Sequence, residues 1–243
     1  MTLSALPSRF QSVDTWVFDL DNTLYSADHD LWPQIDARMK AYISDLLGIA
    51  PDDAFRLQKD YYRRYGTSLR GLMIEHQMDP EAFLAHVHDI DLSGLAPTPR
   101  LGRAIDALPG RKIVYTNGSE GHARNVLEKL GIDDRFSAVH DIVAAQFQPK
   151  PTEAAYRLFL DAHGVAPERA AMFEDLARNL EVPHRLGMAT VLVVAPGQPP
   201  DARPAGAPGG GHGAREAWEL EGREAAHVDR VTDDLPGFLE ALA

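Results

Sequence analysis

The sequence predicts an α/β protein: a doubly wound parallel sheet with an all-helical segment inserted after the first strand. Three observations carry this. Short β-branched runs recur along the chain, amphipathic stretches of helical length separate the later ones, and residues 27–100 show helical spacing without a convincing strand. Strand–helix alternation with near-continuous apolar strands is the pattern of a parallel sheet covered on both faces.

The runs are "TWVFD" (15–19), "KIVYT" (112–116), "SAVHDIV" (137–143), "AAMF" (170–173) and "ATVLVV" (189–194). Between them, "SEGHARNVLEKLG" (119–131) places Ala123, Val126, Leu127 and Leu130 on one face and stops at a glycine, a common C-terminal cap. "PTEAAYRLFLDAHG" (151–164) repeats the plan, with Pro151 at its start and Gly164 at its end. The final "DDLPGFLEALA" reads as a short closing helix.

Residues 27–100 contain "DLWPQIDARMKAYISDLLG", "DDAFRLQKDYYRRYG", "SLRGLMIEHQ" and "PEAFLAHVHDI", a block of three or four helices. "SGLAPTPR" (93–100), with its glycine and prolines, reads as the return linker. The expected organisation is therefore a core of residues 1–26 and 101–243 and a helical cap over 27–100. A stretch rich in Pro, Gly and Ala at 196–222 is expected to be a flexible loop within the core. Doubly wound sheets bind ligands at the carboxyl ends of their strands, so a block inserted there is a candidate lid.

Composition narrows the function. A net charge of -12 argues against partners that attract clustered Lys and Arg, namely nucleic acid polymers and anionic membranes. With no cysteine, disulfides, thiolate metal sites and cysteine nucleophiles are excluded. The first residues lack the basic start and apolar core of a signal peptide. No run approaches the ~18 apolar residues that span a bilayer, so a cytoplasmic location is expected.

The chemistry begins at Asp19 and Asp21, which end the first strand in "FDLDNTLY". Residues i and i+2 of a strand point to the same side, so both converge at the sheet's carboxyl edge. Two such carboxylates are not both cheaply ionised without a cation. One solution is a hard divalent ion such as Mg²⁺. The other is a shared proton, with one group as nucleophile and its neighbour as general acid and base. Taken alone, an Asp-x-Asp is more often a solvated strand end.

The rest of the chain supplies its company. "YTNGS" puts Thr116 at a strand tip, with Asn117 and Gly118 where strand turns into helix, a place that offers N–H donors to phosphate. "QPKP" holds Lys150 between two prolines, and "FEDLARNL" sets Glu174, Asp175 and Asn179 after an apolar strand. These four segments, in this order, resemble the four motifs of the haloacid dehalogenase superfamily of phosphohydrolases. The resemblance covers the chain apart from 196–222.

The resemblance implies a mechanism. Asp19 attacks phosphorus and becomes an aspartyl-phosphate, while Asp21 protonates the leaving group and then activates water. Lys150 and Thr116 assist at the phosphate, Asn117 and Gly118 bind it, and Mg²⁺ is held by Asp19, the backbone carbonyl of Asp21 and Asp175. The dehalogenase branch of the superfamily lacks an aspartate in the position of Asp21, which points to phosphate esters.

Within the expected cap, "YYRRYGTSLRGL" (61–72) resembles the pyrimidine 5'-nucleotidase-like branch, as do "FEDLARNL" and "VDRVTDDLP" (228–236). Its tyrosines can stack on a ring or pack the cap's own helices, and its arginines can meet substrate or water. Arg70, beside Gly66 and Gly71, is the favoured substrate contact. His76, His86 and His88 lack the spacing of a zinc site and read as polar surface residues. The expected function is a Mg²⁺-dependent phosphomonoesterase acting on a small phosphorylated metabolite, with a nucleoside 5'-monophosphate favoured, as a monomer or homodimer. A phosphomutase of sugar phosphates and a non-catalytic regulatory protein are the alternatives.

Overall fold

The structure, a computed structural model, describes residues 8–29, 31–195 and 224–243. The stretch read as a flexible loop, 196–222, lies outside the described residues. The first strand, β1 (Thr15–Phe18), is followed by four helices: α1 (Leu31–Leu47), α2 (Pro51–Tyr65), α3 (Ser68–His76) and α4 (Pro80–Val87). The chain then runs through α5 (Pro99–Ala107), β2 (Arg111–Tyr115), α6 (Glu120–Leu130), β3 (Ala138–His140) and α7 (Glu153–His163). It ends with β4 (Ala170–Glu174), α8 (Glu181–Leu186), β5 (Ala189–Val193), β6 (Arg230–Thr232) and α9 (Leu235–Glu240).

The strands form a six-stranded sheet in the order β3-β2-β1-β4-β5-β6, and every pairing is parallel. Side-chain alternation divides its residues between two cores. Trp16 and Phe18 join Val114 and Phe173 under α5, α6 and α9, where the Phe18 and Phe173 rings stack at 4.7 Å. Val17, Tyr115 and Met172 face the other way, against Tyr156 and Phe159 of α7. A buried phenylalanine of this kind is worth roughly 1.5–3 kcal/mol. The run read as a strand at 137–143 pairs over three residues only, because the chain turns at Asp141. Thr152, rather than Pro151, caps α7, accepting from the Ala155 N–H.

The four helices between β1 and β2 have a core of their own, with Ile43, Ala54, Tyr61, Leu72 and Phe83 buried in it. Gly71 lets α3 lie directly on α2. A Cβ there would stand 2.5 Å from Cβ and Cγ of Tyr61. The insert is seated on the loop after β3, since Ile142 joins its apolar cluster. Pro149 also stands 3.0 Å from where a Cβ on Gly66 would be. This placement brings the helices over the carboxyl edge of the sheet, where the polar residues gather.

Candidate active site

The sheet register assembles the site. Phe18 pairs with Val114 on one side and with Phe173 on the other, so the residues that follow, Asp19, Tyr115 and Glu174, come level at the strand ends. Adjacent strands are ~4.8 Å apart, which leaves their side chains within reach of one another. After β1 the chain turns back at Leu20, whose carbonyl accepts from the Thr23 and Leu24 N–H groups, with Asn22 left-handed at φ 62, which Asn tolerates better than most residues. That turn folds "NTLY" back over the acids. Thr23 Oγ1 donates to Asp19 Oδ2 at 3.0 Å, and the Tyr25 hydroxyl donates to Asp21 Oδ1 at 2.6 Å.

Lys150 is the central cation. Its Nζ donates to Asp19 Oδ1 at 2.7 Å, to Glu174 Oε1 at 3.0 Å and to the Tyr115 carbonyl at 2.9 Å. All three ammonium protons are thereby used, inside a site where Lys150 is 1% exposed. The proline-flanked loop is pinned from β2: Asn117 Oδ1 accepts from the Lys150 N–H at 2.8 Å, and Asn117 Nδ2 donates to its carbonyl at 3.3 Å. Glu174 is held further by the Leu176 N–H at 2.7 Å and by Asn179 Nδ2 at 2.6 Å.

Two aspartates separated by a single residue have opposite electrostatics. Burial pushes Asp19 up to about 7, against the attraction of Lys150 and helped by the charges of Glu174 and Asp21. Burial acts on Asp21 in the same sense, but there the imidazole of His122 and the Tyr25 hydroxyl prevail and hold it at about 2. Lys150 is raised despite its burial, because two carboxylates surround it.

Carboxylate oxygens of Asp19, Glu174 and Asp175 lie within 4.8 Å of one another. Four acids, Asp19, Asp21, Glu174 and Asp175, line this end of a cavity with the single ammonium of Lys150. That leaves an excess of carboxylates over cations at this end, which adds to burial in pushing Asp19 up. The set is all oxygen, which suits a hard divalent cation such as Mg²⁺. Asp21's side chain is outside the trio, its Oδ1 engaged by Tyr25 and His122.

The other expected site residues divide. Thr116 is buried at the tip of β2 and lines the cavity with Asn117 and Gly118. The Gly118 N–H, expected to face phosphate, is taken by Thr116 Oγ1 at 2.9 Å. Arg70 pairs its guanidinium with the Gln148 side chain and is not among the residues lining the cavity. Tyr61 packs within the insert, whereas Tyr62 reaches the cavity.

His88 is not a surface residue. It ends α4 over the site, its Nδ1 is 2.8 Å from Ser119 Oγ, and its ring stacks on His122 at 4.5 Å. His122, in turn, has Nε2 2.9 Å from Asp21 Oδ1. Sequence reasoning passed over His122, although it precedes Ala123 and stands four residues before Val126. A polar residue beside the buried stripe of α6 was the available signal.

This arrangement of a buried aspartate, a buried lysine and an acidic trio at a parallel sheet's edge accords with a sequence match to the haloacid dehalogenase-like hydrolases over residues 13–187. The chain belongs to that family. Phosphoglycolate phosphatase of Rhodospirillum rubrum is 29% identical over 202 residues, covering 73% of this chain and 78% of that protein. Phosphate metabolism protein 8 of Saccharomyces cerevisiae is 28% identical over 144 residues, 55% of this chain, and the match spans only 45% of the yeast protein. In fold, this haloacid dehalogenase-like hydrolase is similar to a HAD phosphatase from Thermococcus onnurineus, with TM-score 0.57, 17% identity and coverage of 95% and 98% of the two chains. The L-2-haloacid dehalogenase of Xanthobacter autotrophicus with chloropropionic acid covalently bound is similar at TM-score 0.56 and 15% identity, covering 95% of this chain and 100% of that one.

Proposed function

We propose that this hydrolase is a Mg²⁺-dependent phosphomonoesterase acting on a small phosphorylated metabolite, with a nucleoside 5'-monophosphate the favoured class. The observation that carries the reading is the bonding of Asp19. It is gripped by Lys150 at 2.7 Å and set in an acidic trio, while Asp21 stands two residues away in a separate hydrogen-bond network. One carboxylate is thus free to attack and the other to move a proton.

Asp19 attacks phosphorus and becomes an aspartyl-phosphate, and Asp21 gives a proton to the departing alcohol oxygen. Asp21, now a carboxylate, then takes a proton from the water that hydrolyses the intermediate. The substrate's negative charge is what raises Asp21 from its low resting value far enough to carry that proton. Lys150 holds Asp19 in line and offsets charge as two anions approach. Asp19 and Asp175, with Glu174 beside them and the Asp21 backbone carbonyl, would hold Mg²⁺, which supplies Lewis-acid charge at the phosphoryl oxygens.

The name of the Rhodospirillum rubrum relative supports phosphate-ester chemistry. Trp32, Tyr62 and Phe83, which line the cavity from the insert, support a ring-bearing leaving group. Asp19→Asn should lower phosphate release from a panel of nucleotides and sugar phosphates by at least ~100-fold. Retained turnover in that variant, in the presence of Mg²⁺, would remove Asp19 from its role.

A further inference from the structure

The cavity does not stop at the phosphate end. The whole cavity, about 170 Å³, runs from Asp19 and Lys150 into the helical insert, where its lining includes Asp36 of α1 and Gln58 and Lys59 of α2. At ~10–15 Å³ per water on the same measure, it has room for a small molecule.

Asp36 is 0% exposed, which is unusual for a carboxylate so far from the chemistry. Its Oδ1 accepts from Gln58 Nε2 at 2.6 Å and from Lys59 Nζ at 2.9 Å. Its Oδ2 is buried and has no partner, and the same holds for Oε1 of Gln58, a residue 2% exposed. Buried polar atoms are almost always hydrogen-bonded, and an unmet acceptor is costly. Lys59 and the Gln58 amide both donate to the other oxygen, and neither reaches Oδ2. Around these acceptors the wall is apolar, with Ile35, Met39, Phe83 and Leu84.

Two unmet acceptors on an apolar wall, in one cavity with the nucleophile, have a natural complement. We infer that Asp36 and Gln58 read the leaving group of the substrate, and that they select neutral groups presenting paired N–H or O–H donors. This rests on the phosphatase reading above and goes beyond it in naming the specificity residues. Paired donors come from the exocyclic amine of a base or from adjacent hydroxyls of a sugar. A leaving group that carries its own carboxylate would bring a third acceptor, with charge, against Asp36 Oδ2, and is disfavoured.

The test is a set of initial rates with Mg²⁺, using the full chain. Cytidine against uridine 5'-monophosphate varies the exocyclic amine. Ribose against 2-deoxyribose 5-phosphate varies the hydroxyl pair. Phosphoglycolate is the carboxylate arm, and 4-nitrophenyl phosphate is a reference without donors. A site built for donors rejects analogues lacking them, so kcat/KM should differ by ~10-fold or more in at least one arm. The same ratio should shrink to within ~2-fold in both Asp36→Asn and Gln58→Met. Ratios are used because partial misfolding lowers all rates together and leaves them unchanged. Absence of preference in both arms, a preference that survives both variants, or phosphoglycolate among the best substrates overturns the inference while 4-nitrophenyl phosphate is still hydrolysed. If even that reference releases no phosphate, the phosphatase reading itself fails and takes this inference with it.

Discussion

Replacing Lys150 by methionine keeps most of the side-chain volume and removes the one charge that ties Asp19 to Glu174. Both bonds are short, 2.7 and 3.0 Å, and both Lys150 and Glu174 are 1% exposed, so solvent does not screen the loss. Breaking a buried pair by deleting one partner costs about 3–5 kcal/mol, since the remaining charge is stranded. Here the cost is limited from one side: Asp19 is already pushed up to about 7 and takes up a proton easily. Glu174 keeps its bonds from Leu176 N–H and Asn179. The lower end, about 3 kcal/mol, is therefore expected. For a chain of this size that corresponds to a fall of ~6–12 °C in the thermal midpoint. The assay is thermal denaturation followed by circular dichroism at pH 8 in EDTA, with excess Mg²⁺ expected to recover part of the loss. A midpoint within ~2 °C of the wild type would show that the lysine does not hold these acids together, and would refute the reasoning.

Three further outcomes follow from the same geometry. In EDTA, folded Asp19 holds its proton up to about 7 whereas the unfolded chain releases it near 3.8, so this group makes stability fall as pH rises between those values. Asp19→Asn should accordingly gain stability relative to the wild type between pH 5 and pH 7 in urea titrations, and a constant difference would contradict it. His122→Asn removes the imidazole at Asp21 but leaves Tyr25; kcat should drop by ~10–100-fold with KM little changed, and a change confined to KM would count against a positioning role. Gly71→Ala forces a methyl group against Tyr61 and should cost about 1–3 kcal/mol by chemical denaturation, a neutral result showing that α3 can shift away from α2.

The sheet was legible because β1, β4 and β5 are buried along their whole length and β2 over Ile113, Val114 and Tyr115, which leaves a strong apolar trace in composition. β6 was not, for it is a three-residue edge strand with a single apolar side chain. Asp19, Thr116, Lys150 and Asp175 could be picked out because each follows a hydrophobic strand or sits in a stiffened loop. Their mutual bonds could not, since strand order is not written locally. The partners of Asp21 were hidden for a similar reason: Tyr25 is brought back by the left-handed turn at Asn22, and His122 arrives from α6 across a long chain separation, with His88 of the insert stacked on it. Arg70 looked like a ligand contact by composition, yet the structure spends it on Gln148.

The four-helix insert leaves the sheet after β1 and returns before β2 as one uninterrupted stretch, while the clustered acids Asp19, Glu174 and Asp175 stand just after β1 and at the end of β4. On the proposed reading, substrate choice and chemistry are consequently encoded in different places along the gene. A lineage could exchange or reshape that single stretch without disturbing the acids gathered at the strand ends, and a protein engineer could graft it in the same way.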